Sequence, residues 1–145
     1  MADSGALRVL VFTVGDLVCG LPAASAREVL PPQSATRIPG APEAVLGLVN
    51  VRGSLLTLFD GHRLLGRAPD GAAEGAILVV DHGGRRAGLA VSEVSDLLSV
   101  AGTSIEAREA LPGVDARYVR AVGHHEGRHF VMLDLPALLE PVFGA

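Results

Sequence analysis

The 145-residue chain is 49% hydrophobic, 19% charged and only 3% aromatic, with no Trp, one Cys and a formal net charge of -4. That length suits one ordinary domain, and that composition excludes a disordered chain. The acidic balance argues against a nucleic-acid binder, whose phosphates call for a basic surface, and a single cysteine excludes an internal disulfide.

In chain order, Leu7 to Val14 reads as a strand, Gly15-Asp16 as a tight turn and Leu17 to Leu21 as the return strand. Pro22 to Leu30 is expected to form a short helical turn leading into a third strand, because Ala23, Ala26 and Leu30 share a helical face and Pro31-Pro32 ends it. Apolar runs then flank Asn50-Val51-Arg52-Gly53, which reads as a hairpin tip. Asp60 and Asp134 each follow a strand and precede a Leu-Leu pair, so each suits the N-cap of a short helix. Gly66 to Gly75 reads as a loop between lobes. Ser92 to Val100 is expected to repeat the turn-then-strand pattern of Pro22 to Leu30. The last helix, about Leu135 to Phe143, carries an apolar stripe and should dock on a barrel.

The chain repeats itself. Displaced by 68 residues, Val11 to Leu30 falls on Val79 to Leu98 and brings Gly15 onto Gly83, Gly20 onto Gly88 and Glu28 onto Asp96. Displaced by 74, Arg52 to Asp60 falls on Glu126 to Asp134. Each half thus carries an opening and a closing hairpin. Half a chain of short strands buries a face only by curling into a barrel or packing on its twin. The expected fold is mostly β: a duplicated unit with four or five short strands in each half and a few short helices, the second half opening near residue 75.

Side chains that carry chemistry are sparse. Cys19 lies among apolar strand residues and reads as a small buried hydrophobe. His124, His125 and His129 cluster near Glu126 and raise a small metal- or ligand-binding β-protein as an alternative, but a hairpin turn is an ordinary place for solvated histidines. Asp60 and Asp134 read as equivalent caps, not an acid–base pair, and Gly83-Gly84-Arg85-Arg86 lacks the features of a phosphate loop. Catalysis and a cofactor are not expected. Surface recognition is: paired barrels leave an aliphatic groove, with Leu48, Val51 and Arg52 from the first half and Leu89, Val91 and Leu97 from the second as candidate lining. An amphipathic helix tip fits there, one acceptor caught by Arg52.

Gly47-Leu48-Val49-Asn50-Val51-Arg52-Gly53 resembles the Gly-(Ile/Val)-x-Asn-Leu-Arg-Gly motif of the CheW-like chemotaxis coupling family. The likeness runs almost end to end, through Val11 to Asp16, Arg27-Glu28-Val29, Thr36-Arg37-Ile38-Pro39, Gly88 to Val91 and Val94 to Ser99. Cys19, Pro22, Val51, Thr57 and Ser92 depart from the family pattern. The resemblance implies two five-stranded, SH3-like barrels intertwined in one domain over residues 1–145, and a non-catalytic adaptor between chemoreceptor cytoplasmic hairpins and the regulatory domain of a histidine kinase. It also implies receptor contact through Leu48, Asn50, Val51, Arg52 and Gly53, with Glu28 and Val29 from a second motif. A variant that engages receptors alone is the nearest alternative. With no signal-peptide pattern and no apolar run long enough for a bilayer, a soluble cytoplasmic protein without membrane insertion is expected, and the resemblance implies recruitment to receptor arrays.

Overall fold

The computed structural model describes residues 6–67, 75–101, 105–106 and 113–143. Its opening hairpin pairs β1 (Ala6–Val14) with β2 (Leu17–Pro22) and leads through a short 3-10 turn, Ala23–Ser25, into β3 (Ala26–Leu30). A second hairpin, β4 (Val45–Val51) and β5 (Ser54–Asp60), ends in the four-residue helix α1 (Gly61–Leu64). The second half opens with β6 (Ala76–His82) and β7 (Arg85–Val91), followed by β8 (Glu93–Ala101) and the two-residue β9 (Ile105–Glu106). It closes with β10 (Val119–His125), β11 (Arg128–Leu133) and α2 (Leu135–Phe143). The architecture is mostly β and SH3-like, two sheets with few helices.

The halves trade hairpins. Sheet I runs β8-β1-β2-β11-β10-β9, so the first half's opening hairpin lies against the second half's closing one; sheet II runs β3-β6-β7-β5-β4 and makes the reciprocal exchange. Both exchanges are sealed by a parallel pair, β2 with β11 and β5 with β7. Their registers coincide under the sequence repeat: Val131 faces Cys19 and Met132 faces Gly20 in sheet I, as Thr57 faces Ala87 and Leu58 faces Gly88 in sheet II. Even the irregularities repeat. A bulge carries the pairing from Ala26–Val80 to Glu28–Val79 in one sheet and from Val94–Phe12 to Asp96–Val11 in the other. Coincidence of letters does not produce matched bulges; duplication does.

Alternation along each strand divides the apolar residues between two destinations. Val9 and Val11 pack inside sheet I with Phe130 and Met132; their counterparts Ile77 and Val79 pack inside sheet II with Leu56 and Leu58. The intervening residues, among them Phe12, Leu21, Phe59, Leu78, Leu89 and Leu133, form one core shared by both sheets. Each such buried side chain contributes about 1.5–3 kcal/mol. Helix α2 caps this core with Leu135, Leu138 and Leu139, spaced i, i+3, i+4.

Both expected caps are present. Asp60 Oδ1 accepts the His62 amide at 3.0 Å and Asp134 Oδ1 accepts the Ala137 amide at 3.1 Å. The helical turn expected at Ser92 is absent, and β8 begins directly at Glu93. There the Ser92 amide donates to the Thr13 carbonyl at 2.8 Å and its Oγ accepts the Gly15 amide at 2.9 Å, which draws the chain straight to the edge of sheet I. The same Oγ meets His62 Nε2 at 3.2 Å, tying α1 to the β1–β2 turn. Most of the expected Gly66 to Gly75 loop falls outside the described residues.

Candidate partner-binding site

The β4–β5 tip is built from its own letters. Gly47 has φ +142, and a Cβ there would stand 2.2 Å from the Thr36 carbonyl oxygen, which accepts the Leu48 amide at 2.8 Å. Only glycine admits that approach. Asn50 Oδ1 accepts the Gly53 amide at 2.9 Å and closes the turn. Arg52 and Gly53 are its two central residues, with φ 51 and 86, the primed geometry that matches the twist of a hairpin. Positive φ suits Asn or Gly; arginine bears a steric cost there. The backbone thus accounts for Gly47, Asn50 and Gly53, but not for the choice of arginine at position 52.

What the arginine side chain does is visible in its surroundings. It projects from the tip, 69% exposed, and donates to the Glu28 carboxylate on β3. Together they border a depression of about 550 Å³ at the end of sheet II, whose wall includes Val51, Ser54, Leu55 and Val79. Asp81 and Arg86 complete it from the β6–β7 hairpin, and Asp81 also meets Arg27 Nε at 3.5 Å and Arg86 Nε at 3.9 Å. Three guanidiniums thus surround two carboxylates. The guanidiniums are about half exposed or more while Glu28 and Asp81 are partly covered, so solvent screens each pair to about 0–1 kcal/mol and a competing acceptor can displace it.

The expected groove residues divide. Arg52, Val51 and Glu28 border this depression, which lies within one sheet and not between the two. Asn50 and Gly53 shape the turn, and Leu48 is half-buried beside Thr36. Val29 on β3 and Leu97 on β8 are 47% and 50% exposed; they are equivalent under the repeat, one on the edge strand of each sheet. Leu89 and Val91 are corrections. At 2% and 3% exposure they belong to the shared core, because β7 is an inner strand with neighbours on both sides. The reading from sequence also missed Leu55, 65% exposed beside the tip, and the Arg27–Asp81–Arg86 group. Leu55 looks like any strand leucine in the sequence; its position next to a two-residue turn is the signal that marks it as outward.

The alternative metal reading fails as a three-residue cluster. His124 and His129 face each other across β10 and β11, whereas His125 alternates to the other face and meets Glu126 at 3.4 Å. No group of three or more His, Cys, Asp or Glu suited to a metal occurs among the described residues. Cys19 is fully buried, and burial pushes its thiol up to about 12, with Arg67 only partly offsetting the effect. No helix among the described residues is long and apolar enough to cross a membrane.

Comparison with known proteins agrees with the fold. The family described as CheW-like domain matches residues 8–142. A chemotaxis protein CheW of Rhizobium meliloti is 30% identical over 137 residues, covering 93% of this chain and 88% of that one. A CheW of Klebsiella aerogenes is 26% identical over 132 residues, covering 90% and 80%. The crystal structure of the scaffolding protein TtCheW from Thermoanaerobacter tengcongensis superimposes with a TM-score of 0.86 at 26% identity, covering 92% of each chain. A doubled SH3-like unit, matched over nearly its whole length, leaves one conclusion: the chain belongs to the CheW-like domain family of non-catalytic chemotaxis adaptors.

Proposed function

We propose that this adaptor joins the cytoplasmic hairpin of a chemoreceptor to the regulatory domain of a chemotaxis histidine kinase, in the cytoplasm and at receptor arrays. The receptor side uses the β4–β5 tip: Arg52 grips an acceptor, while Leu48, Val51 and Val29 supply apolar contact around it. The observation that carries this reading is the arginine at φ 51, kept at a turn position where Asn or Gly costs less. Its partner Glu28 is replaceable, because a half-solvated pair holds the guanidinium weakly and a bidentate carboxylate or helix-end carbonyl can take it over.

Arg52→Ala should weaken capture of the receptor cytoplasmic fragment more than tenfold while moving the thermal midpoint by no more than about 2 °C. Retained capture by the variant would remove Arg52 from the interface, and equal loss of folding would return it to a structural role. Adding the kinase regulatory domain to the same assay tests the second arm. A ternary complex is expected, and recovery of receptor alone would identify a receptor-only variant.

A further inference from the structure

The β10–β11 tip carries a pair of histidines that the proposed receptor contact at the β4–β5 tip does not involve. His124 and His129 are directly opposed in the ladder, one pair removed from the Glu126-Gly127 turn that His125 and Arg128 close. Opposed residues at that step are the closely spaced, non-hydrogen-bonded kind, whose side chains lie side by side on one face. The two rings have centroids 5.8 Å apart and planes inclined by 43°. Two imidazoles on one ion, at metal–nitrogen distances of about 2.1 Å and a near-tetrahedral angle, place their ring centres roughly 5 to 6 Å apart. The observed separation therefore needs little more than rotation of the ring torsions. Both side chains are exposed, so an ion reaches them without opening the fold. The neighbouring carboxylate and guanidinium, Glu126 and Arg128, are exposed as well; Arg128 is held away by Asp96 at 2.9 Å.

We propose that His124 and His129 form a two-ligand chelate for a borderline divalent transition ion, Zn²⁺, Ni²⁺ or Cu²⁺, with water completing its coordination. Imidazole favours these ions over Mg²⁺ or Ca²⁺, which take oxygen ligands. In the repeat the two histidines occupy the positions of Asn50 and Leu55, so the ion brings positive charge to the tip where Glu126 stands in place of Arg52.

The test is titration of the purified, tag-free full chain with ZnCl₂ and NiCl₂, read by calorimetry and by histidine ring signals in NMR. One saturable ion per chain is expected, with His124 and His129 signals moving together and MgCl₂ without effect. His124→Gln and His129→Gln should each weaken binding at least tenfold. His125→Gln, on the opposite face of the same strand, should change it less than twofold. Circular dichroism of each variant verifies the fold. Absence of saturable binding overturns the proposal, and so does equal loss in His125→Gln, which would show that the ion is not held by the opposed pair.

Discussion

The two closing hairpins share a backbone and differ in almost everything they show to solvent. Each turns on a non-glycine residue with positive φ, Arg52 at 51 and Glu126 at 52, followed by glycine, and each ends in an aspartate cap. Each sheet also carries an arginine–carboxylate pair on equivalent carboxylates, Glu28 met by Arg52 from the turn and Asp96 met by Arg128 from the start of β11. Yet the sheet II depression is ringed with charge. A smaller sheet I depression of about 330 Å³ overlaps the equivalent surface; Asp16 and His129 line it, but most of its wall is apolar, from Leu17, Val18, Val114, Val122, Phe130 and Val131. Duplication has preserved what the shared core requires, because a change there disturbs both sheets, whereas the tips were free to diverge. The two tips therefore offer a partner different chemistry on a scaffold the two lobes hold in common.

The comparison breaks hardest at the start of the hairpins. Gly47→Ala should cost about 2–4 kcal/mol, since its Cβ meets the Thr36 carbonyl, whereas the counterpart Ala121→Gly should cost about 1 kcal/mol or less. Urea midpoints at constant slope measure both. Next come the caps: Asp134→Ala should remove about 1 kcal/mol by uncapping the nine-residue α2, and Asp60→Ala a similar or smaller amount at the four-residue α1. At the turns, Arg52→Asn and Glu126→Asn should each leave stability within about 0.5 kcal/mol, because Asn tolerates positive φ. Only the first should abolish receptor capture. Equal loss in both would mean that the tips act as a pair.

The smallest expected effect is a pH dependence confined to one lobe. Asp115 caps the 3-10 turn before β10, and the hydrogen bond from Arg117 holds its carboxyl below the usual 3.8. Its counterpart in the repeat is Ala41, which has no carboxyl. A depressed carboxyl contributes stability above its unfolded value, and that contribution is lost as pH falls through the lower folded value. Unfolding of Asp115→Asn should therefore show a slightly flatter pH dependence than the parent below about pH 4, and an unchanged acid limb would remove the assignment.

Local chemistry was legible where it acts over a few residues. Gly15-Asp16, Gly83-Gly84 and Arg52-Gly53 mark turns because few residues accept their dihedrals, and Asp60 and Asp134 mark helix starts because a carboxylate satisfies amides two or three positions on. The Arg52 tip was legible for the same reason. Leu89 and Val91 were misplaced because alternation assigns a residue to a face and does not say whether that face looks into a core or out of it. Leu55 and the Arg27–Asp81–Arg86 group escaped for the converse reason: their exposure and contacts depend on strands distant in the chain.

The sequence by itself determined the strands, turns, caps and doubled order of this protein, since each rests on short-range sterics and hydrogen bonding. Only the tertiary structure decided that hairpins of opposite halves complete each sheet, that one core serves both, and that Arg52 meets Glu28 at the end of sheet II. Those pairings join residues remote in sequence, and the apolar burial that selects them is non-directional until the whole chain has closed.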